Sequence, residues 1–322
     1  MHVQEERGLV LNRGESRAGG WSRSALPWWA GVPREATLNL LAAPHGLRRM
    51  LRRVRRPRAT YDVSRGVRRA LEYWSTREAL FGKGFFEGKA ILEIGSGPTY
   101  GLALCALAAG ARQVANVEIS GDAVVTDRRL YDGILAALEE RGYAHVARAR
   151  AVLRWTAEQA VPDENVLVTR YGTNARGLEF PDQSFDFLFS IAALEHVRRR
   201  DLGSALAEMH RVLRPGGLTS HRVDTCDHYQ RHTPNPLDFL RYPAWLYDLM
   251  YSNRESFSNR YRLSDFVRLF TAAGFQNVRV RGVVRYEDED TWRRFRPLVH
   301  KSFGAYSPED LRVTSFLIEG DR

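Results

Sequence analysis

The chain has 322 residues, of which 44% are hydrophobic, and its 48 basic and 38 acidic side chains give a formal charge of +10. This length is sufficient for one large domain with appendages, and the two cysteines, Cys105 and Cys226, exclude a disulfide framework or a cysteine-rich metal cluster. No apolar run is long enough to predict a transmembrane helix, and the first residues lack the apolar core of a signal peptide. We therefore expect a cytoplasmic protein.

Most of the positive charge lies in residues 1–60, which hold twelve arginines and four glutamates. Gly, Ser and Pro in residues 1–35 predict poor order there. Residues 45–56 place apolar side chains among arginines at the spacing of a basic amphipathic helix: Leu47, Met50, Leu51 and Val54. This helix either packs on the domain or contacts an anionic lipid, glycan or RNA. We expect a basic, partly disordered extension over residues 1–60, with a peripheral membrane contact through residues 45–58 as one alternative.

From residue 61 onward, predicted helices and strands alternate. A helix over residues 64–81 precedes the buried strand "KAILEIG", which is followed by the small-residue helix "YGLALCALAAGA" and the strand "RQVANVEIS". Helices are expected over residues 122–141 and 144–160, and further strands in "NVLVTRYG", "SFDFLFS" and "LTSHRVD", with a helix closed by Pro-Gly-Gly before the last of them. This alternation predicts an α/β fold with a parallel sheet, whose ligands bind at the carboxyl ends of the strands.

The alternation ends beyond Asp224. The aromatic segment "PLDFLRYPAWLYDLMYSN" is predicted to form a lid or a substrate wall, and a capped helix is predicted to begin at Ser264. The stretches "NVRVRGVVRY" and "LRVTSFLIEG" predict an antiparallel pair of strands at the end of the sheet. One domain is therefore expected over residues 61–322, with a lid or substrate segment at about residues 225–262.

The stretch "AILEIGSGPTYGLA", residues 90–103, is a glycine loop after a buried strand. A triphosphate-binding loop ends in Gly-Lys-Ser/Thr, which is absent here because Gly101 is followed by leucine and alanine. A dinucleotide fingerprint is Gly-x-Gly-x-x-Gly, whereas the third glycine here comes one residue late and Glu93 would repel a pyrophosphate. A ligand with a cationic amine and a sulfonium, and without phosphate, would tolerate Glu93.

Three stretches together resemble a known family. "ILEIGSGPTYG" resembles the first motif of class I S-adenosylmethionine (SAM)-dependent methyltransferases, although Thr99 stands where many members have a third glycine. "FPDQSFDFLFSIAALEHV" resembles the motif after the fourth strand in the small-molecule, type 11-like branch, and "VLRPGGLTSHRVD" resembles the approach to its fifth strand. The resemblance covers roughly residues 65–320. It implies a Rossmann-like fold with a seven-stranded, mostly parallel sheet, an antiparallel last strand, and SAM as the cofactor.

The resemblance also implies a role for individual residues toward SAM. Gly95 and Gly97 would let the backbone approach the cofactor, and Glu93 would orient the loop or meet the amino group. Glu118 would accept both ribose hydroxyls, and Asn174 stands where the family usually has an acid for the adenine amino group. The full set implied to contact SAM is Glu93, Gly95, Ser96, Gly97, Gly101, Glu118, Ile119, Asn174, Ala175 and Ser190.

Two segments carry histidines toward the region where an acceptor is expected. An oxygen acceptor needs a base for its proton, and His196 in "AALEHV" would be this base, or it would hold a backbone turn. In "SHRVDTCDHYQRH", His221 and Asp224 are three residues apart, which predicts opposite faces of a strand. Asp227 and His228 follow the strand end. This segment resembles an element of bacterial methyltransferases of unassigned substrate, and it would bind substrate, hold a metal or stabilise a loop.

From these residues we predict catalytic roles for His196, His221, Asp227 and His228, and no metal. Asn259 and Arg260 resemble an Asn-Arg pair of the same group, and Arg260 would either bind an anionic acceptor or brace the loop. The expected activity is methyl transfer to a hydroxyl of a small molecule or glycan. RNA methylation through the basic arm is disfavoured, because no D/N-P-P-Y/F element follows the fourth strand. A SAM-binding, membrane-attached protein without activity is a third alternative. The oligomeric state stays open.

Overall fold

The structure is a computed structural model, and it describes residues 31–42, 61–119, 125–156, 160–228, 235–254 and 257–322. The predicted amphipathic helix over residues 45–56, and with it the alternative of a membrane contact through residues 45–58, lies outside the described residues. In the part of the chain that is described, no helix has the length and hydropathy of a membrane span.

Nine strands follow one another along the described chain. They are β1 (Ala90–Ile94), β2 (Gln113–Glu118), β3 (Leu153–Trp155), β4 (Ala160–Pro162), β5 (Leu167–Tyr171), β6 (Phe185–Ile191), β7 (Leu213–Asp224), β8 (Gln276–Arg285) and β9 (Val313–Asp321). Seven of them form one sheet in the order β5-β2-β1-β6-β7-β9-β8. The pairs from β5 through β7 are parallel, and β9 runs antiparallel to both of its neighbours. The predicted Rossmann-like sheet with an antiparallel last strand is confirmed.

Helices cover both faces of this sheet. They are α1 (Val32–Ala42), α2 (Val63–Phe81), α3 (Gly101–Ala108), α4 (Arg128–Glu140), α5 (Val146–Ala151), α6 (Arg199–Val212), α7 (Ala244–Tyr251), α8 (Leu263–Ala272), α9 (Glu289–Phe295) and α10 (Pro308–Leu311). Helices α2 to α5 bury their apolar sides in one core, and α6 and α8 contribute to a second core on the opposite face. A third apolar cluster lies around α7 and α9.

The strand order reverses between β1 and β6, because the chain first adds β2 and β5 on one side of β1 and then returns to its other side. In open α/β sheets, ligands bind in the crevice at the carboxyl ends of the strands beside such a switch point. The loop that follows β1 and the turn that follows β6 therefore lie on opposite sides of one crevice.

Three predicted boundaries were wrong, and the first is that of the helix predicted over residues 122–141, which begins at Arg128 after its N-cap Asp127. The helix predicted over residues 144–160 ends at Ala151, and Leu153–Trp155 instead pairs with Ala160–Pro162 as the antiparallel ribbon of β3 and β4. Trp155 at the end of β3 packs on Tyr131, with their ring centroids 5.6 Å apart, which favours the strand over another helical turn. In addition, β7 begins at Leu213, before the Pro-Gly-Gly stretch, and its register with β6 shifts at the point where this stretch is accommodated.

Helix α1 packs on α7, so that residues 32–35, where poor order was expected, belong to a helix. The buried side chain of Asn39 donates to the carbonyl oxygens of Asp248 and Leu249, 3.3 and 2.9 Å away, at the end of α7. Its own oxygen accepts from the Asn253 N–H. Buried Glu35 forms an ion pair with Arg254. Because helix ends have unpaired carbonyls, these contacts hold the C-terminal end of α7 in place.

Candidate functional site

The crevice has two sides, which we name by their residues. The glycine-loop side consists of residues 93–101 and the end of β2, and the histidine side consists of the turn at residues 194–196 and residues 224–228. The two sides lie close together at Gly95 and at Ala193, the residue before the turn at 194–196, because a Cβ atom built at Gly95 would lie 2.6 Å from the Cβ atom of Ala193.

The two central glycines meet different requirements. Both adopt positive φ angles, +74° at Gly95 and +64° at Gly97, which disfavour other residue types. At Gly95 a side chain would collide with Ala193, whereas a Cβ atom at Gly97 would meet no atom within 4 Å. Gly95 is therefore required by packing within the protein, and Gly97 presents backbone to open space.

Glu118 links the glycine loop to the end of the neighbouring strand. Its carboxylate oxygen Oε2 accepts a hydrogen bond of 2.9 Å from the N–H of Gly97. The next residue, Ile119, has 68% of its surface exposed, which is unusual for a large apolar side chain and leaves an apolar face at the rim of the crevice.

Glu93 is a buried carboxyl group at the base of the glycine loop. Burial raises its pKa to about 8, although the nearby Arg77 guanidinium favours the charged form. Its Oε2 atom is buried and has no hydrogen-bond partner. A ligand that offers a hydrogen-bond donor or a cationic amine would satisfy this oxygen, so the residues present fit the amino group of SAM.

The other residues of the predicted SAM set lie in two kinds of places. Asn174 follows β5, which ends beside β2, and it lines a shallow depression of 580 Å³. Its Oδ1 atom accepts from the Arg176 N–H at 3.1 Å, and Ala175 beside it is buried. The hydroxyl of Ser96 lies 3.5 Å from the Gly97 carbonyl oxygen, at the outer limit of a hydrogen bond.

Gly101 and Ser190 lie in the core, where packing explains their size better than the predicted cofactor contact. A Cβ atom at Gly101 would lie 3.2 Å from side-chain atoms of Ala70 and Ile134, so glycine allows α3 to approach α2 and α4 closely. The fully buried Ser190 hydroxyl lies 2.7 Å from His221 Nδ1.

His221 itself is completely buried. Its second ring nitrogen, Nε2, lies 2.5 Å from the Thr219 hydroxyl, and burial lowers its pKa to about 3. A ring with both nitrogens engaged in the core does not exchange protons with a substrate, which favours a structural role for His221 over the predicted catalytic one. As the sequence predicted, it does not pair with Asp224, which instead lies near His228.

His196 is held in one tautomer. Its Nδ1 atom lies 2.7 Å from the carbonyl oxygen of Phe257, which can only accept, so Nδ1 carries the proton. Burial lowers the pKa of His196, which keeps the ring neutral. Its Nε2 atom therefore holds a lone pair, as the acceptor nitrogen of a general base must.

His228 and Asp224 form a second pair beside that ring. The ring centroids of His196 and His228 are 5.0 Å apart, and His228 Nε2 is 3.7 Å from Asp224 Oδ2. Burial alone would lower the pKa of His228, but the Asp224 carboxylate raises it overall. Protonation is therefore favoured at His228 and disfavoured at its neighbour His196.

Glu195 is the second buried carboxyl group of the crevice. Its Oε1 atom accepts from the Asp224 N–H at 3.3 Å, and its Oε2 atom has no hydrogen-bond partner. Burial, and then the like charge of Asp224, raises the pKa of Glu195 to about 8. Asp227 is also buried, and its N–H donates to the Pro236 carbonyl oxygen at 2.7 Å, which fixes the chain just beyond the histidine side.

Residues 259–262 hold the histidine side in place. Asn259 donates from Nδ2 to the carbonyl oxygens of Leu194 and Val197, both at 2.9 Å, and its backbone N–H donates to the Glu195 carbonyl oxygen. Arg260 donates to the carbonyl oxygen of Tyr242 at 2.7 Å and adopts a positive φ of 58°.

The partners of Arg260 are backbone carbonyls, the second being that of Phe239, and its guanidinium lies 4.3 Å from the ring centroid of Tyr247. These contacts favour the predicted alternative in which Arg260 braces the loop over the one in which it binds an anion. Arg262 acts similarly, because it donates to the carbonyl oxygens of Thr225 and Leu311, both at 3.1 Å. The sequence analysis missed Arg262, because nothing in the motif distinguishes a buried arginine from a solvated one.

Across the ranges that the structure describes, no three or more His, Cys, Asp or Glu side chains are arranged to hold a metal ion.

Comparisons with known proteins address the same region. The model of a family described as "Methyltransferase domain" matches residues 92–220. The probable methyltransferase ltbC of Aspergillus luteorubrus is 34% identical over 87 residues, which make up 26% of this chain and 30% of that protein. The chain thus matches less than a third of the length of this curated relative.

Similar solved structures include an S-adenosylmethionine-dependent methyltransferase from Mesorhizobium loti, which is 17% identical with a TM-score of 0.43. The match covers 77% of this chain and 97% of that one. Another is phosphoethanolamine N-methyltransferase 2 from Haemonchus contortus in complex with S-adenosyl-L-methionine. It is 15% identical with a TM-score of 0.43, and the match covers 82% of this chain and 58% of that one.

Proposed function

Because a family model described as "Methyltransferase domain" matches residues 92–220, we propose that the chain is a SAM-dependent methyltransferase that transfers a methyl group to a hydroxyl oxygen of a small-molecule or glycan acceptor. The observation that carries this proposal is the fixed tautomer of His196. Its protonated Nδ1 is bound to the Phe257 carbonyl, and the lone pair on its Nε2 stands at the carboxyl end of β6.

The glycine-loop side would hold SAM, which supplies an activated methyl group when bound. Glu118 would accept the ribose hydroxyls while it holds Gly97, and the unpartnered oxygen of Glu93 would meet the amino group. Ile119 offers an apolar face for the adenine ring. Each of these groups complements a part of SAM that the methyl transfer leaves unchanged.

The histidine side would hold the acceptor. A bond forms between the acceptor oxygen and the methyl carbon, the bond from that carbon to sulfur breaks, and the hydroxyl proton moves to His196 Nε2. The Asp224 carboxylate favours the cation that forms on His196, whereas burial and the neighbouring His228 oppose it. Correct alignment and removal of the proton are the two contributions that the protein makes.

The aromatic segment before residue 254 would form the wall of the acceptor pocket. The short helix Asp238–Arg241 and α7 bury Tyr242, Tyr247 and Tyr251 in one apolar cluster next to the histidine side. Aromatic walls suit sugars and planar metabolites, which supports an acceptor of that kind.

His196→Gln tests the base. Labelled SAM is incubated with phenolic and sugar acceptors, and turnover is measured for the wild type, for His196→Gln and for the exposed control His145→Gln. Loss of a general base lowers turnover by about 100-fold or more, so we expect this loss only in His196→Gln. Calorimetry should give an unchanged affinity for S-adenosylhomocysteine (SAH) in all three proteins. Equal turnover in both variants would show that His196 is not the base.

A further inference from the structure

Three arginines surround one tyrosine at the edge of the crevice. Arg69 and Tyr73 are one helical turn apart on α2, with Arg77 one turn further. The guanidinium carbons of Arg69 and Arg222 each lie 5.5 Å from the ring centroid of Tyr73. Arg69 also donates to the Tyr73 hydroxyl at 3.3 Å. We call this group the arginine–tyrosine cluster.

The cluster belongs to the same edge of the sheet as the histidine side. Arg222 is paired with Ile191, the last residue of β6, and its carbonyl oxygen accepts from the Ala192 N–H at 2.9 Å. It lies two residues before Asp224, so the two side chains leave β7 on the same face. Arg222 therefore lies on the same face of β7 as Asp224, which is next to His228 on the histidine side.

The positive charge of the cluster is not balanced within the described residues. In that part of the chain, Arg69, Arg77 and Arg222 form no ion pair, and the Nε atoms of Arg77 and Arg222 are buried without a hydrogen-bond partner. The carboxyl whose charge acts on Arg77 is Glu93, and burial raises the pKa of Glu93 to about 8, so it is largely uncharged at neutral pH. Burial lowers the pKa of Arg77 only to about 10, which leaves it protonated.

Arg69 is exposed and Arg222 is partly buried, so both guanidinium groups are accessible to an incoming anion, whereas the buried Arg77 donates to the carbonyl oxygens of Tyr73 and Ser190. A guanidinium presents two parallel N–H groups that match a carboxylate or a phosphate, and it stacks on aromatic faces. The cluster offers such groups on both sides of a tyrosine ring, whereas the histidine side offers a base. The arginine–tyrosine cluster and the histidine side together would bind a molecule that carries an anionic group and a hydroxyl.

We propose that Arg69, Tyr73 and Arg222 bind a carboxylate or phosphate group of the methyl acceptor, so that the acceptor is a hydroxylated anion. This inference rests on the proposed function, because it assigns the substrate class of the same site. The carboxylate of SAM has the same chemistry as such an acceptor, and the experiment separates the two sources.

The test is calorimetry on protein saturated with SAH. The probes are 4-hydroxybenzoate and phenyl phosphate, with phenol as the uncharged comparison. The proteins are the wild type, Arg222→Gln, Arg69→Gln and the control Arg279→Gln on the edge strand β8. Arg69 is exposed on α2, so its substitution leaves the fold intact even if Arg222→Gln is unstable.

We expect the wild type and the control to bind at least one anion more tightly than phenol. The affinity of both cluster variants for that anion should be about tenfold lower. Their affinity for SAH should stay within about twofold. Equal anion binding in all four proteins, or binding of phenol as tight as that of the anions, overturns the inference. The inference is also overturned if the cluster variants lose affinity for SAH and not for the anions, because the arginines would then bind the cofactor. If the wild type does not bind SAH, the proposed function fails instead.

Discussion

The two sides of the crevice are built in different ways. On the glycine-loop side, the contact that defines the site joins residues close in sequence, Gly97 and Glu118, and it depends on backbone conformation. On the histidine side, His196 is fixed by the carbonyl of Phe257, and its turn is held by Asn259, both about sixty residues away. The first side therefore follows from a short motif, and the second depends on how distant loops pack.

The two sides also share one feature. Each has a buried glutamate with a pKa raised to about 8 and one carboxyl oxygen without a partner, Glu93 on one side and Glu195 on the other. Arg77 partly compensates Glu93, whereas the neighbouring carboxylate of Asp224 opposes charge on Glu195. Both glutamates are thus largely protonated at neutral pH, and they differ in the neighbour that acts on them, a guanidinium at Glu93 and a carboxylate at Glu195.

The largest effect is expected from Glu118→Ala, which should weaken cofactor binding on the glycine-loop side. Glu118→Ala removes the acceptor of the Gly97 N–H and, under the proposed function, of two ribose hydroxyls. Hydrogen bonds to a charged group contribute about 1.5–3 kcal/mol each, so SAH affinity should fall about 1,000-fold in calorimetry. The exposed carboxylate variant Glu139→Ala is the control and should bind as the wild type does. If Glu118→Ala binds SAH as tightly as the wild type does, the glycine-loop side does not hold the cofactor.

The next effect concerns the distant support of the histidine side. Asn259→Ala removes three buried side-chain hydrogen bonds, and the free energy of unfolding should fall by about 3 kcal/mol. Chemical denaturation measures this change. The control is Asn165→Ala, at an exposed position, whose free energy of unfolding should fall by about 0.5 kcal/mol or less. In the folded variant, turnover should drop more than SAH affinity. An equal loss of both would mean that Asn259 supports the whole domain and not the histidine side.

Two alanine substitutions within the glycine loop should have opposite consequences. Both force alanine into a positive φ, at a cost of about 1–2 kcal/mol. Gly95→Ala additionally pushes against Ala193, so it should mainly lower the melting temperature. Gly97→Ala meets no protein atom and projects into the ligand space, so it should mainly weaken SAH binding. If Gly97→Ala binds SAH normally, the cofactor does not lie against that residue.

The smallest effect is a pH dependence. The pKa of Glu195 is about 8 in the folded chain and 4.5 in the reference state, so between these values only the folded protein keeps the proton. Its contribution to stability is complete below pH 4.5 and is lost as the pH rises toward 8. Glu195→Gln cannot titrate, so its unfolding free energy should fall less than that of the wild type, by about 1 kcal/mol between pH 6 and 7. Identical slopes would contradict the raised pKa.

The sequence predicted most of the fold because the alternation of buried strands and helices is a local pattern. It failed at β3, where a three-residue strand is too short to interrupt a helical pattern, and at the start of β7, where Pro-Gly-Gly is absorbed in the strand. Residues at strand ends, such as Glu118, were predictable because a parallel sheet brings those ends to one edge.

Side-chain partners on the histidine side were much less predictable. Asn259 and Arg260 were noticed through a resemblance, but their backbone partners could not be inferred from it, because they lie on separate segments of the chain. The arginine–tyrosine cluster joins α2 to β7 across about 150 residues, and only the folded chain brings Tyr73 and Arg222 together. Buried arginines look like surface arginines in a sequence with 48 basic residues.

The central claim is that SAM and the acceptor meet between the two sides, and a crystal structure with SAH tests it most directly. We expect the Glu118 carboxylate on the ribose hydroxyls, backbone of Gly97 against the ligand, and the sulfur atom directed toward the turn that carries His196. SAH bound away from Glu118, or with its sulfur directed away from His196, would contradict the account.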